Sequence, residues 1–421
     1  MSLTQEALSL LKSWRIRITL ASCLAYALYY WGRYNYSGLG PFVKSALAWP
    51  AWQWGVFASA MTAGYAIGQF INGALIDYYG PRKVYSIGAV GSGLANIATG
   101  LFPFFPSMST SWFLNGYFQA SGSPSYGKLF TCWFPPKARG LPNALNDAAR
   151  LIGSLTIVPL AAYIATVMGW QWGFIIPGII LFPAAVMIWF LIRDQPKDCG
   201  IKGCDWIPET EKKSLVKEMV TAYTFVWRRW RFLSHSVAYG MSQFTRFGIY
   251  TWIPIYAVEV LGFNPIAGAA LLSVSPLAGA IATVVFGWLA DKLGFGSRRI
   301  LLGLGLTISA ISLLVIGWYP HLPTAAYVGL VFLVGAFTEG LDTVYFLVVM
   351  DKFGKAGKAG TAYGSLNAVG KVFGTFSSAI LGFVLTISGW ISAFTLLAIL
   401  GFIGTVMMLP VTAAWIRGEI E

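Results

Sequence analysis

Two stretches of the sequence decide the fold: LAYALYYWGRYNYSGLGP (residues 24–41) and VAYGMSQFTRFGIYTWIP (residues 237–254). A shift of 213 residues places Arg33 of the first stretch on Arg246 of the second. Each arginine lies inside a long apolar segment, where a cation costs roughly 2.5–3.5 kcal/mol if the segment crosses a membrane. A matched pair of such residues indicates a two-fold positive clamp for an anion. The alternative is that both arginines are salt-bridged structural residues.

The composition is that of a protein that crosses a membrane many times. Of 421 residues, 57% are hydrophobic and 11% are charged, and the mean hydropathy is +0.65. Apolar stretches of roughly 17–25 residues, each long enough to span a hydrocarbon core as a helix, recur with short breaks. The predicted fold class is therefore all-α and polytopic, with about twelve transmembrane helices, at residues 16–39, 52–78, 83–103, 109–133, 141–168, 172–192, 232–261, 266–291, 299–319, 323–350, 360–388 and 390–416.

The internal repeat extends well beyond the two arginines. Three further pairs of segments match at shifts of 214, 219 and 221 residues: 64–80 with 278–294, 113–119 with 332–338, and 145–154 with 366–375. These matches bring together three pairs of polar residues: Asp77 with Asp291, Asn146 with Asn367, and Arg150 with Lys371.

A parallel repeat of two six-helix halves is one of the architectures that transporters use. The sequence predicts an N-terminal bundle over residues 1–193 and a C-terminal bundle over residues 229–421. Residues 194–228 between them are polar and charged, as expected of a solvated cytoplasmic linker.

Lysines and arginines outside the helices lie mainly in alternate loops, which predicts the orientation. Examples lie before or at the very start of the first and seventh predicted helices: Lys12, Arg15 and Arg17, then Arg228, Arg229 and Arg231. We therefore expect both termini to be cytoplasmic and the protein to lie in the cytoplasmic (inner) membrane. The net charge of +13 is on this view a topology signal, and nucleic acid is not an expected partner.

Charged residues within the predicted helices favour an anionic ligand. Four cations fall near mid-membrane on helices 1, 5, 7 and 11: Arg33, Arg150, Arg246 and Lys371. Three carboxylates lie at comparable depth: Asp147, Glu339 and Asp342. We expect these groups to line a cavity between the repeats, where one positive charge remains if all of them are ionised.

Polar neighbours complete the candidate substrate-binding set. Tyr26 and Tyr30 precede Arg33 by seven and three residues, so they share its helix face. A guanidinium offers paired donors that match phosphate or carboxylate oxygens, and phenol hydroxyls can add further donors. The matched asparagines Asn146 and Asn367 are also assigned to this set.

Several motifs resemble those of a known family. GALIDYYGPRK (residues 73–83) and GWLADKLGFGSRR (residues 287–299) look like the repeated cytoplasmic loop of the major facilitator superfamily. AYALYYWGRYN (residues 25–35), RDQPKDCGI (residues 193–201) and TRFGIYTWIPIY (residues 245–256) are similar to segments of its organophosphate:phosphate antiporter family. That family includes the glycerol-3-phosphate and hexose-phosphate transporters.

The resemblance implies the fold of that superfamily, and it implies that Arg33 and Arg246 bind a phosphoryl group with help from Tyr26 and Tyr30. Where bacterial members carry a histidine and asparagine in helix 5, this chain has Ala149 followed by Arg150. Gln69 stands where the glycerol-phosphate carrier has a lysine, whereas Lys371 resembles a lysine of the hexose-phosphate transporters. The expected substrate is therefore phosphoglycerate-like or sugar-phosphate-like, with a second anionic group for Arg150 and Lys371.

The predicted function is transport of an organic phosphate in exchange for inorganic phosphate, by rocker-switch alternating access in a monomer. Asp77 and Asp291 are predicted to latch the cytoplasmic side. Two alternatives remain open: proton symport of another organic anion such as a sugar acid or phosphonate, with Asp147, Glu339 or Asp342 titrating, and a membrane sensor of external sugar phosphate. The sequence contains no nucleophile–base pair or metal cluster, so no catalytic residue, metal or cofactor is expected.

Overall fold

The computed structural model describes residues 5–135, 138–201, 223–354 and 359–416. Within these ranges only the backbone is described at residues 70, 74, 77, 290–291, 293–297, 350–352, 354, 359–361 and 410–416. The side chains of Asp77 and Asp291 therefore lie outside the described residues, and their predicted latch stays a prediction.

The described chain is built from helices. In the first half of the sequence these are α1 (Gln5–Leu47), α2 (Ala51–Tyr79), α3 (Pro81–Leu101), α4 (Phe105–Gln119), α5 (Gly122–Trp133), α6 (Gly140–Met168) and α7 (Trp172–Leu191), followed by a short 3₁₀ turn (Pro196–Cys199). In the second half they are α8 (Trp230–Glu259), α9 (Pro265–Trp318), α10 (Thr324–Glu339), α11 (Asp342–Gly354) and α12 (Ala359–Ile416).

The helices follow the predicted apolar segments but divide them differently. The segments predicted as single helices at 109–133 and 323–350 are each broken, after Gln119 and after Glu339. Conversely, α9 runs through two predicted segments, and so does α12, which bends at Gly389 with a φ of 75°. Seven stretches of the described residues are apolar and long enough to cross a membrane.

The chain forms two compact units. The first contains Met1–Leu39 and Ala60–Glu211, and the second contains Gly40–Ser59 and Lys212–Glu421. The end of α1 and the start of α2 thus group with the second unit, where Lys44 Nζ lies 2.6 Å from Glu259 Oε1. The bundle and linker bounds at 1–193, 194–228 and 229–421 stay a prediction.

In the first unit, the segment that follows α7 caps another helix. Asp194 Oδ1 accepts a hydrogen bond of 2.7 Å from the backbone N–H of Arg82, in the first turn of α3. Gly80 precedes that helix with a φ of 88°, and a Cβ atom there would collide with the Asp194 carboxylate. Partial burial raises the pKa of the Asp194 carboxyl, whereas the bond from Arg82 opposes that shift. The first turn of α3 is therefore held by a residue that is distant in sequence.

We expect Asp194→Ala to lower the free energy of unfolding by about 0.5–2 kcal/mol, the usual cost of losing a helix-capping acceptor. The measurement is thermal denaturation of the purified protein in detergent. Asp194→Asn keeps an oxygen acceptor at the same place and is the control, with a smaller loss expected. Equal stability of the alanine variant and the unmodified chain would contradict the capping role.

Candidate anion-binding sites

Both arginines meet residues at a break in a helix. In the first unit α4 ends at Gln119 and α5 begins at Gly122, and in the second unit α10 ends at Glu339 and α11 begins at Asp342. Non-helical backbone inside a membrane protein is tolerated where protein groups satisfy it, and such breaks recur at transporter binding sites. The two breaks place polar side chains deep inside otherwise apolar segments.

Arg33 of α1 is buried, with 8% of its surface exposed, and its partners are neutral. Its Nε and Nη2 donate to the side-chain oxygen of Gln119, at 3.3 and 3.2 Å, and Nη1 donates to the hydroxyl of Tyr30 at 3.2 Å. The guanidinium also lies 4.6 Å from the ring centroids of Tyr30 and Tyr65. These contacts satisfy donors and favour a cation, yet they cancel none of its formal charge.

A network of buried amides holds Gln119 in place. Its Nε2 donates to the main-chain oxygen of Tyr29 at 2.9 Å and to Ser92 Oγ at 2.8 Å. Ser92 in turn donates to Asn115, and Asn115 donates to the main-chain oxygen of Gly32 at 2.8 Å. The acceptor that meets Arg33 is thus fixed by hydrogen bonds on three helices, which makes its geometry rigid.

Arg246 of α8 is equally buried but is ion-paired. Its Nη1 lies 2.8 Å from Asp342 Oδ2, and its Nη2 lies 3.5 Å from Glu339 Oε2. Gln243, one turn earlier on α8, donates to Asp342 Oδ1 at 3.1 Å. Arg246 therefore forms salt bridges, as the alternative of two structural arginines predicts. The described contacts of Arg33 include no salt bridge.

Glu339 is held by more than the arginine. Its Oε1 accepts hydrogen bonds from the Tyr250 hydroxyl at 2.8 Å and from Ser275 Oγ at 3.3 Å. Gly279 makes room for it, because a Cβ atom there would lie 2.6 Å from the Cβ of Glu339. One oxygen of this buried carboxylate therefore accepts two hydrogen bonds, and the other faces the guanidinium of Arg246.

The other residues predicted for the first half gather near Arg33. Arg150 Nε lies 3.6 Å from Asp147 Oδ1, and its guanidinium carbon is 5.8 Å from the Tyr30 ring centroid. The ring of Tyr26 lies edge-on to that of Tyr30, at 5.2 Å between centroids. Asn146, the residue before Asp147 on α6, is buried and accepts a hydrogen bond of 3.1 Å from Ser22.

The residues predicted for the second half are less closely gathered. Lys371 Nζ lies 5.4 Å from the ring centroid of Phe247, the residue after Arg246. Asn367 is half-buried on the same helix as Lys371, one turn before it. The described contacts thus join Arg246 to Glu339 and Asp342 more directly than to Lys371.

The sequence did not predict the role of Gln119. Its signal was present, because Gln119 is the last residue of the repeated segment 113–119 and an amide within an apolar run. The donors Tyr250 and Ser275 carried no such signal, since hydroxyl residues are common in these helices.

The chain resembles known membrane transporters in sequence and in structure. A model of the Major Facilitator Superfamily matches residues 22–375, so the chain belongs to this superfamily of membrane transporters and is not an enzyme. A nucleoside transporter, NupG, superposes with a TM-score of 0.75 at 12% identity over 95% of this chain and 99% of its own. A bacterial homologue of the human lysosomal transporter Spinster gives a TM-score of 0.74 at 15% identity, over 96% of both chains.

Relatives in sequence belong to the organophosphate:phosphate antiporter group. A probable hexose phosphate transport protein of Chlamydia pneumoniae is 25% identical over 95% of this chain and 91% of its own length. A glycerol-3-phosphate transporter of Bacillus subtilis is 27% identical over 92% and 89%, respectively. The membrane sensor protein UhpC of Salmonella typhimurium is 26% identical, over 94% and 91%. The recognition of this group from sequence motifs is thereby confirmed.

The network around Gln119 generates a prediction about stability. Gln119→Leu removes the acceptor of two guanidinium hydrogen bonds, and a buried donor without its partner costs about 1–3 kcal/mol. We expect a lower melting temperature in detergent, with a loss of that order. Gln69→Leu is the matched control, because Gln69 donates to Ser123 and Ala120 but contributes no acceptor to Arg33. A loss no larger than that of the control would contradict the role of Gln119.

Proposed function

We propose that this protein is a secondary active transporter that carries an organic phosphate across the cytoplasmic membrane in exchange for inorganic phosphate. The observation that carries the proposal is the pair of buried arginines, Arg33 and Arg246, at matched positions of the repeat. A guanidinium fork suits a phosphoryl group, because its donors match two oxygens at once. The names of the relatives support the same class of substrate.

Rocker-switch alternating access accounts for exchange on this proposal. An unfilled site that keeps a net positive charge is costly to occlude in a membrane, and a phosphate-bearing ligand lowers that cost by neutralising it. Because inorganic phosphate and the organic phosphate share the phosphoryl group, either one allows the halves to move. We further propose that the protein acts as a monomer with both termini in the cytoplasm.

Three observations favour other functions, and the experiment below includes a condition for each of those functions. A probable sulfoacetate transporter of Cupriavidus necator is 26% identical over 87% of this chain and 86% of its own, which supports transport of other organic anions. The carboxylates at Arg150 and Arg246 also offer sites for a proton. The likeness to UhpC supports a sensor of external sugar phosphate.

The deciding experiment is counterflow in proteoliposomes loaded with inorganic phosphate, against a panel of organic phosphates, sulfonates and carboxylates. Uptake that requires internal phosphate supports exchange. Uptake that follows an imposed proton gradient without internal phosphate supports symport instead. Saturable binding of a sugar phosphate with no uptake under either condition supports the sensor.

We expect Arg33→Lys and Arg246→Lys each to reduce phosphate exchange by about one to two orders of magnitude. Lysine keeps the charge but loses the paired donors, and a charge-assisted hydrogen bond contributes about 1.5–3 kcal/mol. The control is Arg139→Lys, since Arg139 donates to main-chain oxygens of Phe134 and Thr131 away from both sites. Wild-type exchange by either site variant, at equal expression, would remove that residue from the clamp.

A second substitution tests whether Arg150 binds the part of the organic substrate that lies outside its phosphoryl group. Removing Arg150 alone would strand the charge of Asp147, so the double change Asp147→Asn/Arg150→Gln is the fairer test. We expect phosphate self-exchange to remain, while transport of a phosphoglycerate or sugar phosphate falls about tenfold to a hundredfold. The measurement is the ratio of the two rates in the same vesicles. An equal fall of both rates would contradict a separate role for Arg150.

A further inference from the structure

The two buried arginines have opposite electrostatic surroundings. The described groups that contact Arg33 are neutral, namely the amide of Gln119, its main-chain oxygen, and the phenol of Tyr30. Arg246 instead faces two carboxylates, Asp342 at 2.8 Å and Glu339 at 3.5 Å. If all these groups are ionised, the charge of Arg33 is uncompensated by its described contacts, whereas Arg246 and its two carboxylates sum to one negative charge.

The difference in charge around the two arginines comes from the residue types at two aligned positions of the repeat. It does not come from the helix break, which both units share. The shift of 219 residues that aligns segment 113–119 with segment 332–338 places Ala120 on Glu339 and Ser123 on Asp342. Both units break their helix at this point. Ser123 accepts a hydrogen bond of 3.0 Å from Gln69, so the first unit fills the corresponding place with neutral groups. The break therefore forms without a carboxylate.

The two carboxylates of the second unit are held differently. Only 4% of the Glu339 side chain is exposed, and the hydroxyls of Tyr250 and Ser275 fix its other oxygen. The Asp342 side chain is 25% exposed. Asp342 also accepts a hydrogen bond from Gln243, whose Nε2 donates to the hydroxyl of Tyr239 as well. Of the two, Asp342 is the carboxylate that can leave the guanidinium at smaller cost.

We propose that Asp342 is a tethered anion that occupies Arg246 while the transporter is empty and is displaced by the phosphoryl group of the substrate. The inference rests on the proposed function. Arginine stays charged at any pH a protein survives, and its Nη1 donor now contacts Asp342, so a ligand oxygen reaches that donor only when Asp342 leaves it. A ligand that binds Arg246 therefore competes with a carboxylate of the protein itself.

Competition of this kind predicts the direction in which the affinity for the anion changes when Asp342 is altered. The binding free energy of the anion is reduced by the strength of the contact it must break, so removing that contact strengthens binding. At Arg33 the ligand displaces only neutral acceptors. The competition is therefore confined to Arg246, where the anion binds only after Asp342 leaves the guanidinium.

The experiment measures the dissociation constant of radiolabelled inorganic phosphate on the purified full-length protein. Asp342→Asn keeps the size of the side chain and an acceptor for Gln243, but it removes the charge. We expect phosphate to bind about tenfold or more tightly, the effect of losing one charge-assisted competitor. Damage to the fold would weaken binding, so a gain in affinity is diagnostic. Asp342→Ser, which copies Ser123 of the first unit, replaces the asparagine variant if the latter does not fold.

Two comparisons separate displacement from a general change of charge. Glu259→Gln also removes a paired carboxylate of the second unit, at Lys44, and should leave the dissociation constant unchanged. In an Arg246→Gln background, Asp342→Asn should no longer tighten binding, because the contact it breaks is already gone. Equal tightening with and without Arg246 would show a general field effect and overturn the tethered role.

The outcomes also separate this inference from the proposed function. Phosphate binding and exchange by the wild type, with unchanged or weaker binding by both Asp342 variants, overturn the tethered anion and leave the transporter assignment standing. A folded wild type that binds neither inorganic phosphate nor any organic phosphate overturns both.

Discussion

A guanidinium buried in an apolar helix must be given acceptors, since its charge cannot be removed by losing a proton. Arg33 and Arg246 impose this requirement once in each unit, and each remains only 8% exposed. The helix breaks after Gln119 and after Glu339 meet this requirement, because they bring polar side chains to the arginine from a neighbouring helix. The amide network in one unit and the hydroxyls around Glu339 in the other keep those side chains in place.

The same requirement is met in two chemically different ways. A neutral amide satisfies the donors of Arg33 and leaves its positive charge uncompensated, whereas two carboxylates face Arg246 and outweigh its charge if both are ionised. The first arrangement attracts any anion, and the second admits only one that can displace an internal competitor. A repeat that preserves both arginines can therefore change its affinity through the residues at the helix break, without moving the arginines.

Hydropathy and the repeat predicted the helical segments and the matched arginines, because both signals depend only on the order of residues within one helix. The breaks at 120–121 and 340–341 were not predicted, although Gly122 and Pro124 follow the first break and Gly340 lies within the second. Glu339 and Asp342 were predicted as functional, but their partner was not. The cation that a carboxylate contacts depends on how two helices pack. The spacing of residues within one helix does not contain that information. The pair of Asp147 and Arg150 differs, because residues three apart on one helix share a face and their contact follows from spacing.

The two predicted ligand-binding cations of the first unit, Arg33 and Arg150, also differ in how firmly their side chains are held. Arg33 is held by Gln119 and by two aromatic rings, so its donors point in a fixed direction. Arg150 shares the ring of Tyr30 at a longer distance, and its partner Asp147 has a side chain that is 59% exposed. A fixed donor pair suits a group that is the same in every ligand, whereas a loosely held cation can follow a group that varies. Tyr30, in contact with both guanidiniums, is the residue through which the position of one can affect the other.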